Sequence, residues 1–163
     1  MRRTQLLLAA ALFCCAAFSQ TGKPDFSGTW KLNNGKSSQD GLPDRVYVET
    51  IVQSAKSITV TTKAEGVTNL FDGTFPIGDK ERVEKEGNAY RFTKVYWEGG
   101  TLVFERSHKD SKKDIAKILF YVRESWTLSP DGKVLTRFRR TLEASKDGDR
   151  PSLTDQKYVF DKQ

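Results

Sequence analysis

Turn residues cut the chain from Arg45 onward at intervals of roughly 8 to 12 residues, and the segments between them alternate apolar with polar side chains. A period of two sends successive side chains to opposite faces, which suits a strand with one buried side and does not suit a helix. Residues 45–54 set Val46, Val48, Thr50 and Val52 against Arg45, Tyr47, Glu49 and Gln53. After an Ala55-Lys56 turn, residues 57–63 alternate Ile58 and Val60 with threonines. Residues 68–77 keep Phe71, Phe75 and Ile77 in phase, with Gly73 as a bend, and Gly78-Asp79 turns into residues 80–86, whose charges suit an exposed edge strand. Glu86-Gly87-Asn88, Gly99-Gly100 and a charged tip at 108–114 then separate 89–98, 101–107 and 115–128. Segments 133–143 and 156–161 end the series, with 144–155 between them as a polar loop. The expected fold class is therefore all-β: a single antiparallel up-and-down β-barrel of about 8–10 strands, with no major helix outside the leader. A two-sheet sandwich is the other architecture with this turn spacing.

The leader is a different kind of segment. Arg2 and Arg3 precede an uncharged apolar run of 13 residues, Leu6 to Phe18, and Ala17-Phe18-Ser19 places small residues where a signal peptidase reads. The run falls short of the roughly 20 residues that span a bilayer. Residues 1–19 thus read as a cleaved signal peptide, 20–25 as a linker and 26–163 as one domain, exported to the periplasm or secreted. A lipid on Cys14 or Cys15 would need a small residue just before it, and Phe13 and Cys14 stand there. Both cysteines lie in the leader, so the mature chain has no disulfide, thiolate ligand or cysteine nucleophile. Its stability must come from burial, for which the 144 residues left after removing 19 from 163 suffice. Loss of Arg2 and Arg3 lowers the formal charge from +6 to +4, spread along the chain, which argues against a nucleic-acid partner.

The first mature segment, Phe26-Ser27-Gly28-Thr29-Trp30-Lys31-Leu32-Asn33, puts Phe26, Gly28, Trp30 and Leu32 on one face. Glycine is poor strand material, so its place beside a large aromatic implies that something packs close to the backbone there. The Phe-x-Gly-Thr-Trp-Lys-Leu run resembles the opening strand of the calycins, the small antiparallel barrels that include lipocalins and fatty-acid-binding proteins, here of a bacterial secreted, lipocalin-like type. The resemblance implies that Gly28 and Trp30 close one end of the barrel, often with an arginine of a late strand across the indole. Fatty-acid-binding proteins carry a helical lid after this strand, whereas residues 34–44 (NGKSSQDGLPD) are loop-forming and lack an apolar helical face.

The most informative constellation is the hairpin at Ser129-Pro130-Asp131-Gly132, which fits a type I turn with a glycine bulge. If Ser129 pairs with Lys133, one face reads Ile118, Phe120, Val122, Glu124, Trp126, Leu128 and the facing one Val134, Thr136, Phe138, Arg140, Leu142. Glu124 and Arg140 then interrupt an apolar wall diagonally opposite one another. Buried charges must be paired, so Arg140 either anchors an acidic head group with Glu124 orienting it, or forms a structural ion pair, or lies over Trp30. A two-residue turn would instead send Arg137 and Arg139 inside and Arg140 outside. With Arg140, Glu124, Trp126, Phe138, Phe120, Phe71 and Phe75 as candidate lining, the aromatic set either borders a cavity or fills it.

No catalytic constellation stands out. His108, the sole histidine, sits among lysines without partners for a metal or haem, and no Gly-x-Ser-x-Gly occurs. Glu84/Glu86 and Asp147/Asp149 read as solvated edge and turn charges, and no glycine-rich loop opens a helix. No catalytic residue, metal ligand or cofactor is therefore assigned. The expected function is binding of a small apolar or amphipathic, possibly acidic, molecule inside a monomeric barrel that is not inserted in a membrane after signal cleavage. The alternative is a protein-interaction barrel, such as a periplasmic protease inhibitor, whose interior is packed and dry.

Overall fold

A computed structural model of the chain describes residues 22–38, 46–64, 71–112, 118–144 and 151–163. The expected signal peptide, and parts of the expected linker, of the loops 34–44 and 144–155 and of the segments beginning at 45, 68 and 115, lie outside the described residues. Ten strands are present: β1 Gly28–Leu32, β2 Val48–Gln53, β3 Ser57–Lys63, β4 Gly73–Pro76, β5 Gly78–Glu86, β6 Ala89–Glu98, β7 Thr101–Lys109, β8 Ile118–Leu128, β9 Val134–Glu143 and β10 Ser152–Lys162. Among the described residues the remaining regular structure is one 3₁₀ turn, Asn34–Lys36.

All ten strands form one antiparallel sheet in the order β4-β3-β2-β1-β10-β9-β8-β7-β6-β5. Consecutive strands pair except β4 with β5, and β1 with β10 brings the two ends of the chain together. The sheet thereby curls into a nearly closed, lipocalin-like barrel rather than two layers. Its seam lies between β4 and β5, which follow one another in the chain without pairing, and Arg82 Nη1 reaches across it to the Thr74 carbonyl at 3.3 Å.

The opening strand and the arm before it pack into one end of the barrel and seal it with buried side chains. Trp30 is fully buried and donates from Nε1 to the Phe26 carbonyl at 2.9 Å. Phe26 is buried too, its ring 6.0 Å from Trp97 and 5.9 Å from Trp126. Gln53 ties the arm down by accepting from the Phe26 amide and donating to the Pro24 carbonyl. Gly28 has φ 142°, a conformation that favours glycine, and a Cβ there would lie 2.8 Å from Lys162 Cε, so the lysine side chain would have to shift as well. The cation over the Trp30 indole is Lys162 of β10, its Nζ 5.2 Å from the ring, instead of an arginine. Phe71, Phe75, Phe104, Ile51, Ile58, Val60, Leu102 and Leu135 pack above this plug as one cluster.

The β8–β9 hairpin differs from expectation by one residue. The Gly132 amide donates to the Ser129 carbonyl at 2.9 Å, as in the expected turn, with Gly132 at φ 67°. Asp131 then accepts from the Ser129 hydroxyl and from the Lys133 amide, while Ser129 Oγ accepts from the Val134 amide. These side-chain bonds hold Lys133 in the loop, so Ser129 pairs with Val134 rather than with Lys133. The register becomes Leu128 with Leu135, Trp126 with Arg137 and Glu124 with Arg139. Phe138 and Arg140, expected inside, stand on the outer wall. Three smaller corrections follow from pairing. Residues 152–155, expected in a loop, belong to β10 because they ladder with Glu143 to Arg140. His108 belongs to β7 and not to the charged tip. On β2 the inward face carries Glu49 and Ile51, while Val52 and Val46 are exposed.

Trp30 fills space that no neighbour can take up. Replacing it by alanine should cost about 3–5 kcal/mol, read as a fall in the denaturation midpoint with the circular-dichroism spectrum of the remaining fold unchanged.

Candidate binding site

Residues directly opposite one another in the ladder share a face, so the interior of β5 to β10 can be followed row by row. Nearest the sealed end run Trp97, Leu102, Trp126, Arg137 and Tyr158, and next Val95, Phe104, Glu124, Arg139 and Gln156. Beyond them run Arg82, Thr93, Arg106, Val122, Thr141 and Thr154, and then Glu84, Arg91, His108, Phe120, Glu143 and Ser152. The interior therefore changes character along the barrel axis. The sealed half is aromatic and aliphatic. The far half is polar, with Val122 and Phe120 as its apolar members on these strands.

A buried ion network marks the boundary. The Arg137 guanidinium lies 3.7 Å from the Trp126 ring centroid and 4.7 Å from that of Phe160. It donates to both carboxylate oxygens of Glu49, one of these bonds being 2.8 Å long, and Glu124 Oε1 lies 3.8 Å from its Nη1. Glu124 also accepts from Trp126 Nε1 at 2.7 Å and from Arg139 Nε. Tyr47 donates its hydroxyl to Glu49 at 2.7 Å, and Arg139 Nη1 reaches the Tyr158 hydroxyl at 3.4 Å. Burial pushes the Glu49 carboxyl above the usual carboxylate range, and Arg137 offsets part of that rise. Burial likewise raises the Tyr47 hydroxyl, aided by the Glu49 charge.

Arg106 is different in kind. It is 7 % exposed, lies 5.3 Å over the Phe71 ring, and its Nε has no hydrogen-bond partner. No carboxylate lies within 4.0 Å of it among the described residues, although Arg91, one row further out, is held by Glu84 and Glu86. Burial and the neighbouring Arg91 charge push its guanidinium down to about 10. It nevertheless stays charged at neutral pH, a cation beside Phe71 without a carboxylate partner among the described residues. Arg139 also lies over the same ring, at 5.9 Å. His108 sits at the rim, its Nε2 3.7 Å from Glu86 and its ring 5.8 Å from Phe120, and burial lowers its pKa below the ordinary 6.5.

The sequence-derived candidates are thus dispersed. Glu124 and Trp126 join the buried network, Phe71 and Phe75 belong to the packed core, and Phe120 faces the polar half. Arg140 makes a bidentate pair with Asp155 outside, both bonds 2.8 Å, and Phe138 is 42 % exposed. Arg137 and Arg139 take the interior positions that the other turn length assigned to them. Arg106 and Glu49 were missed. Leu102, Phe104 and Arg106 alternate on one face, as do Glu49 and Ile51, so their placement followed from period alone.

No protein-family model and no curated protein matches the sequence. Among solved structures, the chain is similar to the REP1-NXSQ fatty acid transporter, at 13 % identity and TM-score 0.53, covering 85 % of this chain and 96 % of that one. It is also similar to a secretory abundant heat soluble protein of Ramazzottius varieornatus, at 12 % identity and TM-score 0.52, covering 88 % and 98 %. Protein 4 of the same kind from that organism matches at 15 % and 0.51, covering 88 % and 97 %. These likenesses confirm the barrel.

Removing Arg137 leaves Glu49 buried without its bidentate partner. Arg137→Met should therefore cost about 3–5 kcal/mol, and the double change with Glu49→Gln should cost clearly less than the sum of the two singles. Additive losses in urea denaturation would contradict a coupled pair.

Proposed function

We propose that this chain is an exported, lipocalin-like barrel that binds a small acidic molecule in the polar half of its interior, with Arg106 taking the anionic group. The observation that carries the reading is the buried, uncompensated guanidinium of Arg106. Desolvating a cation is costly unless an anion meets it. Arg137 and Arg139 have carboxylates in the protein, while Arg106 has none among the described residues within ion-pair distance. An incoming carboxylate or phosphate would supply the missing partner, and Arg139, held by Glu124 and facing the same phenyl ring, would stand ready as a second donor. A barrel of similar shape is titled a fatty acid transporter, which agrees with an interior ligand site.

A second reading, a protein-interaction barrel such as a protease inhibitor, draws on the sealed half. There Trp30, Phe26, Phe104 and Trp126 are fully buried, as in an interior that holds nothing but side chains. The two readings separate at Arg106. An anion site sacrifices stability for binding, so Arg106→Met should leave the melting temperature unchanged or raise it while weakening acid binding by about 10-fold or more, measured by calorimetric titration. A lower melting temperature with no acid bound by the parent protein would favour the interaction barrel.

Export is part of the same proposal, resting on the charged start, apolar run and small-residue site of residues 1–19. N-terminal sequencing of protein recovered from its own host should begin at Gln20. A mature product that keeps Met1 would remove it.

A further inference from the structure

We infer that the ligand of this barrel is a small hydrophilic anion rich in hydrogen-bonding groups, without a long acyl tail; the inference rests on the reading that Arg106 receives an anion. An acyl tail gains its affinity from apolar wall that it removes from water. The apolar wall of this barrel is already occupied. Phe71, Phe104, Val122 and Trp126, the apolar side chains nearest the arginines, are fully buried by their own neighbours, so no water-sized space adjoins them. A tail anchored at Arg106 therefore has no apolar room toward the sealed end.

Toward the far end it would meet polar groups. In the row of Arg106 the ladder offers the hydroxyls of Thr93, Thr141 and Thr154, and the next row offers Arg91, His108 and Ser152. On the opposite wall Tyr47 and Thr62 lie within 3.5 Å of one another, and Thr62 donates to Asp72. Threonine hydroxyls both donate and accept, so hydroxyls in the same row as a guanidinium match a ligand whose body carries hydroxyl groups and whose end carries the charge. Laying methylenes against that surface would leave these groups without partners, which selects against a tailed acid. The shared chemistry is an anionic group on a hydroxylated body; a sugar acid and a sugar phosphate both have it.

The test titrates the full mature chain with sodium gluconate, glucose 6-phosphate and hexadecanoate, using the parent protein, Arg106→Met and Thr141→Val. Binding of gluconate or glucose 6-phosphate is expected, with the two arms separating carboxylate from phosphate recognition, and with no displacement by hexadecanoate. Arg106→Met should weaken that binding about 10-fold or more, and Thr141→Val, which keeps shape and charge, by about 3-fold or more. Hexadecanoate bound through Arg106, with neither polar anion bound, would overturn the inference while leaving an acid site at Arg106 intact. No binding of any of the three at millimolar concentration would overturn both. Polar-anion binding unaffected by either substitution would place the site elsewhere and sink the inference as well.

Discussion

A guanidinium held between two aromatic rings in the interior of a small barrel has to meet carboxylates there, and Arg137 meets two. Its position between Trp126 and Phe160 joins β8, β9 and β10, and its bond to Glu49 joins that group to β2 on the facing wall. Desolvation alone makes such an arrangement costly, and pairing has to offset it. The network does so through the two terminal nitrogens of Arg137, the Trp126 indole N–H and the Tyr47 hydroxyl, each placed on a Glu49 or Glu124 oxygen, while Arg137 Nε is left without a partner among the described residues. Any slip of β9 by one residue would carry Arg137 to the outer wall and leave Glu49 alone in the core. The ion network and the register of the last three strands are therefore a single constraint.

The same constraint divides the interior. Below the network, side chains interdigitate around the Phe26 and Trp30 plug, which Gln53 and Lys162 fasten from two sides. Above it the inward positions are filled mainly by arginine, threonine, glutamate and histidine, with Val122 and Phe120 among them. The seam lies between β4 and β5, where β5 is charged along its length and Arg82 reaches across. Packing that ends at a layer of paired charges leaves the polar half dependent on local ion pairs, such as Arg91 with Glu84, for its geometry.

Much of the architecture was legible because it rests on local rules. Gly28 and Trp30 announced a close approach at a sealed end, and the structure supplies it as Lys162 against the glycine. Turn spacing marked the strands of a meander without an α-helix among the described residues. The candidate site was less legible, for a particular reason. Residues 137–140 read Arg-Phe-Arg-Arg, which places an arginine inside whichever parity is chosen. Parity was decided by the Ser129 and Asp131 side chains, whose hydrogen bonds keep Lys133 out of the ladder. Nothing in the identity of Lys133 signals that. Glu49 escaped notice because the exposed valines at 46 and 52 made the other face of its strand look like the core. Arg106 sat in plain alternation with Leu102 and Phe104, yet an arginine ending an apolar series reads as a strand leaving the core rather than as a charge kept within it.

Arg106 carries the functional argument because it breaks the rule the rest of the interior obeys. A chain able to surround Arg137 with carboxylates has the means to neutralise a further arginine, or to replace it by an apolar residue at a gain in stability. Retaining an uncompensated cation among hydroxyls is the opposite choice, and marginal stability makes such choices consequential. Sites that sacrifice stability are where function is sought. The barrel itself does not decide what that function is, since similar barrels differ in what they enclose. The lining does. Among the described residues it offers a positive charge without a carboxylate partner, threonine hydroxyls in the same row and apolar side chains that are already buried, a combination that fits a polar anion better than a greasy one.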